Sequence, residues 1–387
     1  MIYLDYAAHT PICEEVLEEY MRLERMLVGN GLSSHDFGYA AKRVLDDATD
    51  GIASLLGIKP KEVILTSGAS EANNLAIKGI AKSYKHRGLH ILSTCLEHSS
   101  VGGVLQHLHC EGFEVDLLKI NSNGQIDLDN FRQALRKDTI LICVSAVDSE
   151  LGAVQPIEKM LDVLSNFPDA HMHVDASQAM GKMKLPVMFH AGVKHETSFK
   201  SRERGISTMS FTPHKFYGPL GVGALYKREG VILEPLIHGS GVNLYSAGTP
   251  SPSLASACYK ALNISIMYMQ MNHEHVSGLR DHAIEKLKSI PDIRVNSPSE
   301  GSPYILNLSI KGKKAKETQG ILNSMGIAVS TKSACSSDNT PSRAVFAISG
   351  DRQNALSSFR VSFGSNTTYD EVNKLLECIT SICTSGN

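Results

Sequence analysis

The sequence predicts an α/β protein: a large domain on a largely parallel sheet covered on both faces, then a smaller α+β domain. Three observations lead there. From about residue 14 to 255, apolar runs of strand length alternate with segments of helical periodicity, the rhythm of strand–helix–strand units. After about residue 255 that alternation stops and one long helix-like stretch leads into a few short strands. The chain has 387 residues, 42% hydrophobic and 20% charged, enough to bury a sizeable core and to divide into two domains.

Taken in order, Val16, Tyr20, Leu23 and Leu27 recur at helical spacing after Pro11, and a second helix is expected over Tyr39–Leu56. "EVILT" (Glu62–Thr66) reads as a buried strand, and "SGASEANNLAIKGIA" as a turn running into a helix. "HILST" (His90–Thr94), "FEVDLL" (Phe113–Leu118), "TILICVSAV" (Thr139–Val147) and "HMHVDA" (His171–Ala176) read as further strands with helices between them. Val222–Tyr226 is a mostly apolar run. Beyond the break, one helix is expected from Leu254 to Ser289, strands at "DIRVN", "SPYILNLSI", "IAVST" and "SFRVSF", a helix near Glu317–Met325 and a last helix from about Tyr369. Lys194–Arg204, "KHETSFKSRER", breaks the rhythm and reads as an exposed basic insertion, either a solvated loop or a docking patch.

Charge and cysteine usage narrow the function. A formal net charge of −2 makes no overall case for nucleic acid or an anionic membrane. "MIYLDYAAHTP" has no basic region followed by a long apolar stretch, and no run approaches the length of a membrane span, so neither a signal peptide nor a membrane partner is expected. The eight cysteines include no CxxC pair; no metal is expected, and the thiols fit a reducing cytoplasm.

Three constellations carry chemistry. "TSGASEANN" (Thr66–Asn74) follows a strand and opens a helix, so the backbone N–H groups of Ala69 and Ser70 and the Ser70 hydroxyl form a ready anion site; a capping turn ahead of Glu71 needs no ligand and reads equally well. "HVDASQ" (His173–Gln178) ends a strand on Asp175, at the sheet edge where ligands of open α/β sheets bind; an aspartate there can hold a pyridinium nitrogen protonated, or simply cap the next turn. "TPHKFYGPLGVGALY" (Thr212–Tyr226) sets Lys215 in a glycine-rich turn, a fixed position that an amine forming a Schiff base requires. Their order along the chain is the layout a pyridoxal phosphate (PLP) enzyme needs.

From "YLDYAAHTP" to "SFRVSFG" the chain resembles the cysteine desulfurases of the NifS/IscS type, within the class V aminotransferase-like PLP enzymes of fold type I. The resemblance implies a mainly parallel seven-stranded sheet in a large domain of residues 14–255. It implies a small domain from residues 1–13 and 256–387, carrying a catalytic cysteine loop at about 330–345. It makes Lys215 the Schiff-base lysine, pairs Asp175 with the pyridine nitrogen and Gln178 with the ring hydroxyl, and stacks His98, in "LEHSSV", on the ring. Ala69, Ser70, Thr212 and His214 would hold the phosphate, joined by Thr249, in "SAGT", from the second subunit of a homodimer. Cys335, in "STKSACSSDNTPS", falls at the position of the nucleophile that becomes a persulfide, and Arg360 at that of the residue gripping the carboxylate of L-cysteine, for which its planar fork is suited. The product would be L-alanine, with sulfur passed to an acceptor protein serving iron–sulfur clusters, tRNA thiolation or DNA phosphorothioation.

The chain also departs from the family pattern. "DSE" places Asp148 and Ser149 where the family has two asparagines, the second of which contacts cofactor and substrate. Ser246 stands near a usual arginine, Lys332 replaces a glycine and His9 a threonine. Lys332 beside Cys335 would favour the thiolate, yet would strain a left-handed backbone. A related PLP lyase or aminotransferase acting, for example, on selenocysteine, and a weakly active homologue serving as a scaffold, are the alternative readings.

Overall fold

The computed structural model describes residues 1–186, 205–239, 244–332 and 340–384. The insertion at Lys194–Arg204 and Cys335 lie outside the described residues.

The chain opens with strand β1 (Ile2–Tyr3) and helices α1 (Glu14–Met26) and α2 (Asp36–Leu56). α1 buries Val16 and Leu23 but stops before Leu27, which is already extended. α2 ends on Gly57 in the left-handed conformation (φ 66°), the usual glycine stop. Strand β2 (Val63–Thr66) feeds helix α3 (Ala69–Tyr84), then come β3 (His90–Ser93), α4 (Ser99–Cys110), β4 (Glu114–Leu117), α5 (Leu128–Ala134), β5 (Thr139–Ser145), α6 (Ile157–Leu164) and β6 (His171–Asp175). Strands β7 (Thr208–Phe211) and β8 (Gly223–Lys227) complete a seven-stranded sheet of order β2-β8-β7-β6-β5-β3-β4. β8 runs antiparallel to both its neighbours, and the other pairs are parallel. Every residue of β5 and β6 is buried, as expected of strands covered on both faces.

The expected single helix over 254–289 is two, α7 (Pro252–Met267) and α8 (Met269–Leu287), broken at Tyr268 (φ −99°, ψ 7°). The break lets α7 pack on α1 and α2 while α8 packs on the last helix. Then follow β9 (Ile293–Val295), β10 (Ile305–Ile310), α9 (Ala315–Ser324), β11 (Ile327–Ala328), two short helices α10 (Arg343–Ser349) and α11 (Arg352–Ser357), β12 (Ser358–Ser362) and α12 (Tyr369–Thr384). β12, β10 and β9 form an antiparallel sheet, and β1 pairs in parallel with β11. One hydrophobic cluster runs from Val144 and Val174 of the large sheet to Leu306 and Phe359 of the small one. Among the described residues no helix is long and apolar enough to cross a membrane, and no group of three or more His, Cys, Asp or Glu side chains is placed to hold a metal ion.

Candidate active site

The strand ends converge on one cavity of about 330 Å³, lined by residues that include Gly68–Glu71, His98, Ser149, Asp175, Ser177, Gln178, Thr212, His214, Lys215 and Arg360. It sits where ligands bind in open α/β sheets, beyond the carboxyl ends of the parallel strands.

At one end is the start of α3. Its N-cap, Gly68, makes no side-chain capping bond, so the first-turn N–H groups lack that partner. Gly68 is extended rather than left-handed (φ 160°), so a tight turn is not why a glycine stands there. A Cβ built on it meets no atom within 4 Å, which leaves open space beside the helix start. The close approach is made by Gly223, where a Cβ would lie 2.6 Å from the Gly68 backbone. Glu71 reaches back to Ser67, accepting from its N–H at 2.7 Å and its hydroxyl at 2.6 Å, so the helix start is capped in part and anion-ready in part. Burial raises the Glu71 carboxyl, but hydrogen bonds from Ser246 and Ser67 outweigh it and hold it below its ordinary value. Ser246 thus serves Glu71.

Thr212 and His214 flank this end. Thr212 Oγ1 donates to the Val222 carbonyl at 3.0 Å and lies 2.9 Å from His214 Nδ1. Burial, then Lys215, push His214 down to about 3, so its ring is neutral. Lys215 ends a 3₁₀ turn, Pro213–Lys215, and its Nζ donates to the carbonyls of Ala7 at 2.8 Å and Ala8 at 2.6 Å. Gly221 (φ 82°) provides the left-handed bend of this segment; Tyr217 also adopts positive φ (66°), with its hydroxyl oxygen accepting from the Ser365 N–H.

Asp175 closes β6. Its Oδ1 accepts from Ser177 N–H at 2.9 Å and its Oδ2 from Asn73 Nδ2 at 2.8 Å. Asn73, wholly buried on α3, also donates to Ser100 Oγ and accepts from Ser210 Oγ and His173 Nε2. Burial pushes His173 down to about 4, so it is neutral. His98 caps α4: its Nδ1 accepts from the Ser100 N–H at 3.2 Å and lies 2.8 Å from the Ser100 hydroxyl, which leaves the ring proton on Nε2. Burial lowers the His98 pKa, with Lys215 adding to it against Asp175.

Arg360, on β12, is 2% exposed. Nη2 pairs with Asp5 Oδ1 at 2.8 Å, Nη1 donates to the Ser149 carbonyl at 2.8 Å, and Nε is buried without a partner among the described residues. Asp5 also accepts from Ser330 Oγ at 2.9 Å. Thr249 is exposed and does not line this cavity in the single chain. Lys332, whose Nζ donates to Thr340 Oγ1 at 2.9 Å, does not have the positive φ feared for it; among the described residues only Tyr217 and Asp292 do outside glycine. Asn73, Asp5 and Ser246 lie within the sequence motifs, but their roles in holding Asp175, Arg360 and Glu71 show only in the folded chain.

This donor set fits PLP. An amine, a carboxylate at a strand end, a helix start with open space and the buried, unpartnered Ser177 hydroxyl face one volume. Comparison with known proteins agrees. Residues 2–375 match the aminotransferase class-V family. The cysteine desulfurase IscS of Dictyoglomus turgidum is 36% identical over 385 residues, covering 98% of this chain and 94% of that protein. A solved NifS-like protein has 29% identity and a TM-score of 0.89 over 99% of both chains. A structure of SspA in complex with cysteine has 29% identity and a TM-score of 0.78, covering 95% of this chain and all of that one (100%). The chain belongs to the class-V aminotransferase family of PLP-dependent enzymes, and within it to the IscS/NifS cysteine desulfurases.

Proposed function

We propose that the protein is a PLP-dependent cysteine desulfurase that converts L-cysteine to L-alanine and leaves the sulfur as a persulfide on Cys335 for transfer to an acceptor protein. The observation that carries the reading is the convergence of Lys215, Asp175 and Arg360 on one cavity at the start of α3.

When bound, PLP supplies an electron sink for charge developing at the substrate Cα. Lys215 would hold it, Ala69, Ser70, Thr212 and His214 its phosphate, Asp175 its ring nitrogen, Gln178 its ring hydroxyl, and His98 its ring face. Arg360 grips the substrate carboxylate, using N–H groups not committed to Asp5 or Ser149. Ser149, which lines the cavity, is the second substrate and cofactor contact through its hydroxyl in this reading. The Lys215 amine moves the Cα proton, and neutral His98, with its proton on Nε2, is a second group able to hand one on. The Cys335 thiolate attacks the substrate sulfur; the S–S bond forms as the C–S bond breaks, and a proton at Cβ completes alanine.

Several further assignments belong to this reading. Thr249 reaches the phosphate of the neighbouring subunit in a homodimer, which its exposure in the single chain suits. The chain divides into a large and a small domain, the N-terminal strand joining the small one because β1 pairs with β11. In this reading the break between them falls near residue 255. The enzyme works in the cytoplasm.

The test is to incubate purified protein with cysteine and a reductant and to measure sulfide and alanine. Both are expected from the wild type, neither from Lys215→Ala, and Cys335→Ser should keep PLP but lose sulfide release. Wild-type protein that binds PLP yet forms neither product overturns the assignment, and sulfide release by Cys335→Ser points instead to a lyase.

A further inference from the structure

Lys182 is a buried cation that none of these steps uses. It follows Gln178 by four residues, is 6% exposed, and its Nζ lies 3.3 Å from Gln178 Oε1 and 5.4 Å from the centre of the Tyr304 ring. Among the described residues neither partner is a carboxylate. A desolvated ammonium without an anion is unfavourable, so its place behind the active-site wall needs an account.

The hydrogen bonds around it allow one arrangement. A lysine ammonium donates and a backbone carbonyl only accepts. Gln178 meets Lys182 on one side and the Ala7 carbonyl on the other, at 2.8 Å from its Nε2. The amide oxygen must therefore face Lys182 and the amide nitrogen Ala7, which leaves the second N–H of Gln178 for the cavity it lines. The same Ala7 carbonyl accepts from Lys215 Nζ at 2.8 Å. Lys182, Gln178, Ala7 and Lys215 thus form one chain of contacts.

We propose that Lys182 is a positioning residue: it locks the Gln178 amide with an N–H toward the cavity and, through the shared Ala7 carbonyl and its own positive charge, tunes the Lys215 nitrogen. This rests on the PLP reading of the cavity. The neighbouring charges agree in sign. Burial, then Lys215 and Arg360, push Lys182 down to about 7, and Lys182 in turn helps hold His214 down. Tyr304, the other group against it, is pushed well up by burial and stays neutral.

The experiment compares PLP-loaded wild type with Lys182→Met and Lys182→Arg, reading the pH midpoint of the cofactor's visible band and the dissociation constant for PLP. Removing a like charge near the Lys215 nitrogen favours its protonated form, so Lys182→Met should raise the midpoint by roughly one pH unit. Freeing the Gln178 amide should weaken PLP by about tenfold. Lys182→Arg keeps charge and donor and should stay within a few tenths of a unit of wild type. A Lys182→Met protein with the wild-type midpoint overturns the proposal, and so does an arginine variant shifted as far as the methionine one. If the methionine variant does not fold, Lys182→Gln, neutral but still a donor, carries the same expectation for the midpoint. A wild type that shows no visible band with added PLP overturns the cofactor reading and this inference with it.

Discussion

At the scale of single residues, the site is organised by side chains that bear no chemical signature. Lys215 and Asp175 stand out in the sequence because a lysine in a glycine-rich turn and an acid at a strand end each need a reason, while Arg360 is marked only by the family resemblance. Asn73 does not stand out, since an asparagine in the first turns of a helix is common. Yet it donates to Asp175 and Ser100 and accepts from His173 and Ser210 at zero exposure. Those partners lie on three elements brought together only by folding, which is why the sequence does not display them. Asn73→Ala leaves two buried donors, Ser210 and His173, and one oxygen of Asp175 without their partner, each costing about 1–3 kcal/mol if water cannot reach it. Relaxation recovers part of that, so an unfolding free energy lower by roughly 2–4 kcal/mol is expected in urea titrations. Stability within 0.5 kcal/mol of wild type, on the order of ordinary surface substitutions, would show that the network has no such weight.

At the scale of elements, most strands and helices were legible because period-2 and period-3.6 patterns report burial directly. The exceptions are instructive. β7 (Thr208–Phe211), no shorter than β2, β3 or β4 but with two polar residues among its four and next to the basic insertion, shows no apolar run. The split at Tyr268 has no glycine or proline to announce it and is set by packing on both sides. The glycine-rich turn was read correctly as tight, but its tightest contact is to another element: Gly223 presses on Gly68 and Ala69 at the start of α3. A methyl group there would lie 2.6 Å from backbone atoms that cannot swing aside. Gly223→Ala should therefore shift β8 away from the helix start, destabilise the protein by about 1–3 kcal/mol, and weaken PLP binding. Thermal unfolding together with cofactor titration checks this; unchanged affinity for PLP would separate the contact from the site.

At the scale of the whole molecule, buried ionisable groups on and beside the seven-stranded sheet set how stability depends on pH. His171 and His173 are pushed down to about 4 and His214 to about 3, all chiefly by burial. Unfolded histidines bind protons below their ordinary pKa, so these three make the fold less stable as pH falls from about 6.5 toward 4. Two acids oppose them. Glu97 and Asp148, both buried against the cavity wall, are pushed up to about 7 by burial, despite the hydroxyl hydrogen bonds of Thr94 and Ser145 to Glu97. A carboxyl that stays protonated in the fold but ionises when unfolded withdraws stability as pH rises from its ordinary value, 4.5 for Glu97 and 3.8 for Asp148, to about 7. The groups partly cancel in wild type, so the acid contribution is best isolated by substitution. Glu97→Gln keeps the size and the hydrogen-bonding capacity of the neutral acid and removes its titration. Relative to wild type, the variant should gain stability steadily between pH 4.5 and 7, up to about 1.4 kcal/mol per pH unit, and the difference should level off above that window. Melting temperatures of the two proteins across pH 4.5–8 provide the measurement. A difference that is flat with pH would mean that Glu97 is ionised in the fold, and that Thr94 and Ser145 stabilise its charge against burial.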